Sequence, residues 1–494
     1  MSYLLALDQG TTSSRAIIFN ENGVVQATAQ RETRIQTPHS GWVEQNAEEI
    51  WSSQIAVVQQ ALANARILAK DIKAVGLTNQ RETTVVWDKR TGKALAPAII
   101  WQDRRATDWC NQLTQKNLHS LIHQKTGLRI DPYFSAGKLV WLLENVKGLR
   151  ELAHQGHVAF GTIDSWLVWN LTQGAEHVIE VSNASRTMLM NLQNQTWDEE
   201  LLSLFDIPHS VLPKIIPSDH YVADTAEGLL GATIPITGIL GDQQSALFGQ
   251  SCFETGTAKN TYGTGCFMLF NTGNEVQFSQ NKLLSTVAWQ TENQNSYALE
   301  GSVFMAGAVV QWLRDNLGII QSSCEVEQLA CKVSHTDGVV LVPAFTGLGA
   351  PHWDSDARAL LCGMSRGTTK AHIARAALES IAFQVSDVLT AMQADLTQPL
   401  KELRVDGGAS GNDMLMQFQA DILNVPVLRP KMLESTAWGA AAMAGLKAGV
   451  FTSLSDIAES WQLERAFEPN MSEDQRSHHL AQWQNALKRA KSDI

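Results

Sequence analysis

The strongest constraint on the fold is a pattern that occurs twice. Residues 4–15 read L-L-A-L-D-Q-G-T-T-S-S-R, an apolar run that ends in an acid, passes through one glycine into hydroxyl residues, and leads to a second apolar run at 16–19. Residues 258–270 follow a similar plan, with T-Y-G-T-G joining two strand-like runs. Short apolar runs bounded by turn residues predict buried strands. Two openings of one kind therefore predict two related halves. Turn residues at 20–23 and a third run from Val24 extend the first opening into a β-meander. Residues 44–67 carry apolar side chains at helical spacing behind Glu44, Glu48 and Glu49, and 72–77 read as a buried strand. Interleaved strands and helices make the class α/β.

The length agrees, since 494 residues exceed what one hydrophobic core organises. Two large domains are expected, 1–250 and 251–494, with a hinge in the small-residue stretch 248–257 between Gly249 and Gly256. The last strong signals are a strand at 403–405 with its glycine turn and a helix near 435–447. Past Ser453 the chain reads as charged surface helices. A net charge of -12 repels nucleic acid, anionic membranes and nucleotides alike, so any phosphate site has to be local. There is no long apolar run and no basic leader ahead of one, and the six cysteines are scattered without a C-x-x-C pair. These features predict a cytoplasmic protein with reduced core cysteines and no zinc site.

Four segments carry candidate chemistry at strand ends. In the first, Gly10 lets the backbone approach a ligand, Thr11, Thr12 and Ser13 can aim donors at phosphoryl oxygens, Arg15 adds a cation, and Asp8 can hold hydrated Mg²⁺. A plain polar hairpin would use the same residues as turn formers. In I-L-G-D-Q-Q-S-A-L, Asp242 follows an apolar run and precedes a helix, which suits either an N-terminal helix charge or a general base of ordinary carboxylate pKa. T-Y-G-T-G-C and D-G-G-A-S-G-N are glycine turns after strands. Gly407, Gly408 and Gly411 leave a flat ligand uncovered, and the helix from Asn412 offers free N–H groups.

A fifth segment, T-N-Q-R-E-T-T, sets Arg81 beside Glu82 after a buried strand. A guanidinium only donates and a carboxylate only accepts, so the two can read adjacent hydroxyls of a neutral polyol, with Trp101, Tyr133 and Phe267 covering its C–H face. The same spacing also describes an exposed surface ion pair. No G-x-x-x-x-G-K-[ST] occurs, residues 156–162 lack the lysine, and the H-R-D and D-F-G segments of protein kinases are absent. Gly263 and Gly265 lack the third glycine of a dinucleotide turn. His119 and His123, with no glutamate between them, read as surface histidines.

The order of these elements resembles the superfamily of sugar kinases, Hsp70 and actin, whose two domains of ribonuclease H-like type close over ATP. Within it the chain resembles the FGGY carbohydrate kinases. Y-F-S-A-G-K-L-V-W-L-L-E-N at 133–145 fits the first family signature, and 359–379 fits the second. D-Q-G-T-T-S-S-R-A, N-Q-R-E-T-T, S-N-A-S-R-T-M-L, G-D-Q-Q and A-K-N-T-Y-G-T-G-C-F are similar to the branch that phosphorylates glycerol. That resemblance implies ATP-dependent phosphorylation of glycerol to its 3-phosphate, with Mg²⁺. It implies glycerol contacts from Arg81, Glu82, Tyr133, Asp242 and Gln243, with Asp242 as base and Mg²⁺ near Asp8 and Asp242. It assigns Thr11, Thr12, Ser13 and Arg15 to phosphates, and Thr264, Gly307, Gln311, Gly408 and Asn412 to the ADP side. A homo-oligomer, dimer or tetramer, is implied. Some bacterial members carry G-G-K-G-G-T-R-I-P where residues 228–235 read G-L-L-G-A-T-I-P, and there bind an inhibitory sugar bisphosphate. Without the lysine and arginine such inhibition is expected to be weak or absent. The alternatives are a family kinase for another polyol or sugar, and an ATPase switch of the Hsp70 class.

Overall fold

The computed structural model describes residues 2–396 and 398–492; residues 1 and 494, where the two expected domains begin and end, lie outside them. Two sheets dominate. The N-terminal sheet is built from β1 (Tyr3–Gln9), β2 (Ser13–Asn20), β3 (Val25–Glu32), β4 (Ile72–Asn79), β5 (Ala223–Asp224) and β6 (Pro235–Gly241), in the order β5-β6-β4-β1-β2-β3. The C-terminal sheet contains β7 (Ala258–Tyr262), β8 (Cys266–Gly273), β9 (Leu284–Thr291), β10 (Gln294–Val303), β11 (Leu403–Asp406), β12 (Val427–Pro430) and β13 (Leu463–Phe467), in the order β9-β10-β8-β7-β11-β12-β13.

Both sheets share one plan. An antiparallel hairpin, β1–β2 or β7–β8, is followed across its first strand by a parallel partner, β4 or β11. The central strands are covered on both faces, which is why Leu4 to Leu7 are at most 1% exposed and the run is apolar without alternation. Carboxyl ends of parallel strands lie along one sheet edge, the usual ligand crevice of such sheets. Asp8 sits beside Thr78, Gln9 beside Asn79, and Gly241 beside Asn79, so the turns after β1, β4 and β6 converge.

The helix α1 (Ala47–Ala65) begins later than the acidic run suggests. Asn46 accepts a bond from the Glu49 backbone N–H at 3.0 Å, and Glu44 instead pairs in a short strand with Ile99. Beyond Ser453 the chain contains two helices as expected, but also β13, which adds an edge strand to the C-terminal sheet. It is paired on one side only and exposes the charged Glu464 and Arg465.

The helix predicted at 435–447 is present as α6 (Ser435–Lys447), yet it packs on the N-terminal sheet and on α3 (Asp242–Gly249). Its composition, S-T-A-W-G-A-A-A-M-A-G-L-K, permits this approach. A Cβ at Gly76 would stand 2.0 Å from the Ala440 carbonyl oxygen, and one at Gly439 1.9 Å from that of Ser245. No helix among the described residues is long and apolar enough to cross a membrane.

Candidate active site

Asp242 is the first residue of α3, held by the end of β6. Its Oδ1 accepts from the Gln243 backbone N–H at 2.7 Å and faces Arg81 Nε at 3.1 Å. The side chain keeps 28% exposure, so it is open to a ligand. Burial pushes its carboxyl above the ordinary value expected from sequence, with Arg81 and Lys259 opposing.

Arg81 and Glu82 are not a surface ion pair. Both are buried, and their charged atoms stand 4.0 Å apart because each has a closer partner. Arg81 donates to both carboxylate oxygens of Glu300, at 2.5 and 3.1 Å, and to Gln244 Oε1 at 3.2 Å. Glu82 accepts from Arg186 Nε at 2.7 Å, and Arg186 also donates to Glu300 at 2.9 Å. Burial works against the ionised Glu300, but Arg186 and Arg81 hold its carboxyl down at about 2. Of the five N–H groups on Arg81, three donate hydrogen bonds and Nε faces Asp242 as an ion pair, leaving one on the far terminal nitrogen for a ligand. Sequence reading missed Arg186 and Glu300. The first stands inside S-N-A-S-R-T-M-L, and the second is a lone carboxylate in the apolar run Y-A-L-E, which is the signal that marks it.

Aromatic rings close the site. The Trp101 ring lies 5.7 Å from Tyr133 and 6.2 Å from Phe267, which brings all three predicted rings together. Trp101 Nε1 also donates to Thr11 Oγ1 at 2.9 Å, joining this wall to the turn after β1. That turn is a hairpin in which Asp8 opposes Arg15. Arg15 pairs with Asp8 at 3.5 Å and with Glu434, so its charge is shared before any phosphate arrives. Burial raises the Asp8 carboxyl to about 6, Arg15 opposes, and Glu434 and Asp242 add to the rise. Asp8 Oδ1 and Asp242 Oδ2 receive no protein hydrogen bond among the described residues, which leaves two carboxylate oxygens for a hydrated divalent cation; no group of three or more His, Cys, Asp or Glu side chains that could hold a metal gathers among the described residues.

On the C-terminal side, the T-Y-G-T-G turn meets α4 (Gly307–Asp315): Gly307 N–H donates to the Gly263 carbonyl at 3.0 Å and Ala308 N–H to that of Thr264 at 3.1 Å. Gln311 is exposed one turn along α4. Gly407, at φ +85°, passes so near the Tyr262 carbonyl that a Cβ would stand 2.6 Å away, whereas Cβ atoms on Gly408 and Gly411 would meet open space. Asn412 is the cap of α5 (Asp413–Leu423), its side chain accepting from Leu415 N–H at 2.9 Å. Gln243 does not stand alone either. Its Oε1 accepts from the buried Lys259 at 2.5 Å, and Lys259 also donates to Thr261 at 2.8 Å, a cross-sheet link that sequence reading missed. Burial brings the Lys259 ammonium down to about 8. His119 is exposed as expected, whereas His123 is half-buried with its ring 5.8 Å from that of Phe278.

Paired strand-end turns facing across two like sheets, with a carboxylate, a guanidinium and aromatic walls between them, define a carbohydrate kinase that works in an interdomain cleft. The chain belongs to the FGGY family of carbohydrate kinases: the family's N-terminal domain matches residues 3–249 and its C-terminal domain residues 258–448. Within that family it is 80% identical over 494 residues, the full length of both chains, to glycerol kinase of Acinetobacter baylyi. It is 58% identical to glycerol kinase of Deinococcus radiodurans, over 99% of this chain and 97% of the relative. Among solved structures, Plasmodium falciparum glycerol kinase with ADP superposes with a TM-score of 0.93 at 36% identity, covering 100% of this chain and 99% of that one. A xylulose kinase from Lactobacillus acidophilus, 20% identical with a TM-score of 0.87, shares the fold.

Proposed function

We propose that this chain transfers the γ-phosphoryl group of ATP to a terminal hydroxyl of glycerol, giving glycerol 3-phosphate, with Asp242 as general base. The observation that carries the reading is the placement of Asp242 at a helix start, partly open, beside Arg81 and within a pocket of opposed donors and acceptors. Arg81 has one donor to spare and Glu82 one oxygen beyond its bond to Arg186, enough to hold two neighbouring hydroxyls of a small neutral polyol. Trp101, Tyr133 and Phe267 cover the carbon chain, and Gln243 completes the polar rim. The reacting hydroxyl then passes its proton to Asp242 as its oxygen bonds to phosphorus and the bond to the β-phosphate oxygen breaks.

Thr11, Thr12, Ser13 and Arg15 receive the phosphates, while Thr264, Gly307, Gln311, Gly408 and Asn412 line the nucleotide side. Asp8 and Asp242 would hold Mg²⁺, whose charge would offset that of the phosphates. Exclusion of water by closure of the domains, taken as 1–250 and 251–494 about a hinge at 248–257, favours transfer over hydrolysis. A cytoplasmic homo-oligomer fits the enzyme's place in glycerol use.

The test is glycerol-dependent ADP release with MgATP, run beside Asp242→Asn and with xylulose as control. Glycerol-specific turnover that falls by about 10²-fold or more in the variant supports the reading. Preference for xylulose, or hydrolysis indifferent to polyol, overturns it.

A further inference from the structure

Among the described residues Lys138 and Lys259 are both fully buried without a carboxylate at hydrogen-bond distance, and of the two Lys138 meets no side-chain acceptor either. Lys138 lies in α2 (Ser135–Asn145), within the Y-F-S-A-G-K segment, and is 0% exposed. Its ammonium donates only to backbone carbonyls: Tyr133 at 2.5 Å, Glu82 at 3.3 Å and Phe134 at 3.5 Å. A buried cation is costly and requires compensation by several acceptors. Two of these acceptors belong to polyol-site residues.

Glu82 needs such an anchor. Its φ is +60°, the left-handed region that a non-glycine residue occupies only when its surroundings hold it there. That conformation turns the Glu82 side chain toward Arg186 while its carbonyl points the other way, at α2. There the carbonyl accepts three donors: Thr84 Oγ1 at 3.2 Å, Ser135 Oγ at 3.1 Å and Lys138 Nζ. Relaxation to an ordinary φ would break this set together with the Glu82–Arg186 bond.

We infer that Lys138 is a positioning residue for the polyol pocket, fixing the left-handed turn at Glu82 and the Tyr133 backbone to one ammonium. The first turn of α2 thereby orients both a hydroxyl acceptor and an aromatic wall without touching substrate. The inference rests on the polyol reading of the site, and its test separates the two.

Wild type, Lys138→Gln and Ser135→Ala are compared for the KM of glycerol and of MgATP, with ADP affinity by calorimetry and near-ultraviolet circular dichroism as a check on packing. The expected result is a glycerol KM raised about tenfold or more in Lys138→Gln and severalfold in Ser135→Ala, the scale of lost charge-assisted and neutral hydrogen bonds. ADP affinity and the MgATP KM should stay within about twofold, because the ADP-side turns lie on the C-terminal sheet and Lys138 bonds to neither them nor the phosphate turn after β1. Equal loss for both substrates, or an unchanged glycerol KM in either folded variant, overturns the inference. If Lys138→Gln does not fold, Ser135→Ala decides by the same criterion. A wild type inert toward glycerol would defeat the functional reading instead.

Discussion

Glu300→Gln isolates the buried charge cluster. Glu300 is 0% exposed and comes from the C-terminal sheet, yet it engages two guanidiniums of the N-terminal half, Arg81 and Arg186. The amide is nearly isosteric, but its NH₂ would face an N–H donor of one arginine, and it removes the charge that offsets both. Removing one partner of a buried ion pair costs about 3–5 kcal/mol. Arg81 would keep at most one of its two bonds to residue 300, with no negative charge behind it, and shift relative to Asp242 and the substrate, so the glycerol KM should rise about 10- to 100-fold, as expected for one or two charge-assisted hydrogen bonds. The MgATP KM should change by no more than about threefold. Steady-state kinetics with each substrate varied, together with thermal unfolding, read both effects. A folded Glu300→Gln protein with unchanged glycerol KM would refute the claim that Glu300 orients Arg81.

Other expectations follow from the same geometry. Burial pushes the Glu180 and Glu379 carboxyls up to about 7, from 4.5. Their stabilisation is therefore complete below about pH 4.5 and is lost as pH rises through 7, roughly 3 kcal/mol for Glu180, so unfolding scans between pH 5 and 8 should give a falling midpoint. Glu300, held at about 2, acts oppositely and loses its contribution only as pH falls from 4.5 through 2. Gly76→Val should destabilise by about 3 kcal/mol or more, because its side chain would displace α6 from the N-terminal sheet; an unchanged midpoint in urea would contradict that packing. Fructose 1,6-bisphosphate should not inhibit, since residues 228–235 offer no cation, and inhibition at low micromolar concentration would show that the phosphates find other partners.

The duplicated opening, the α/β class, the helix at 435–447 and the strand-end residues Asp8, Arg81, Glu82, Asp242 and Gly408 were legible in the sequence, because each rests on local patterning: apolar runs, their period and the turn that follows. Family resemblance added the reaction and its ligands. Only the tertiary structure brought Glu300 to Arg81 and Arg186, tied Lys259 to Gln243, and laid α6 on a sheet from the other half of the chain. Those contacts join residues far apart in sequence, where side-chain spacing carries no information about partners. For the same reason an adjacent Arg81–Glu82 pair looked like a surface salt bridge. Neighbouring residues share a backbone, but burial and the reach of a guanidinium decide which carboxylate it meets.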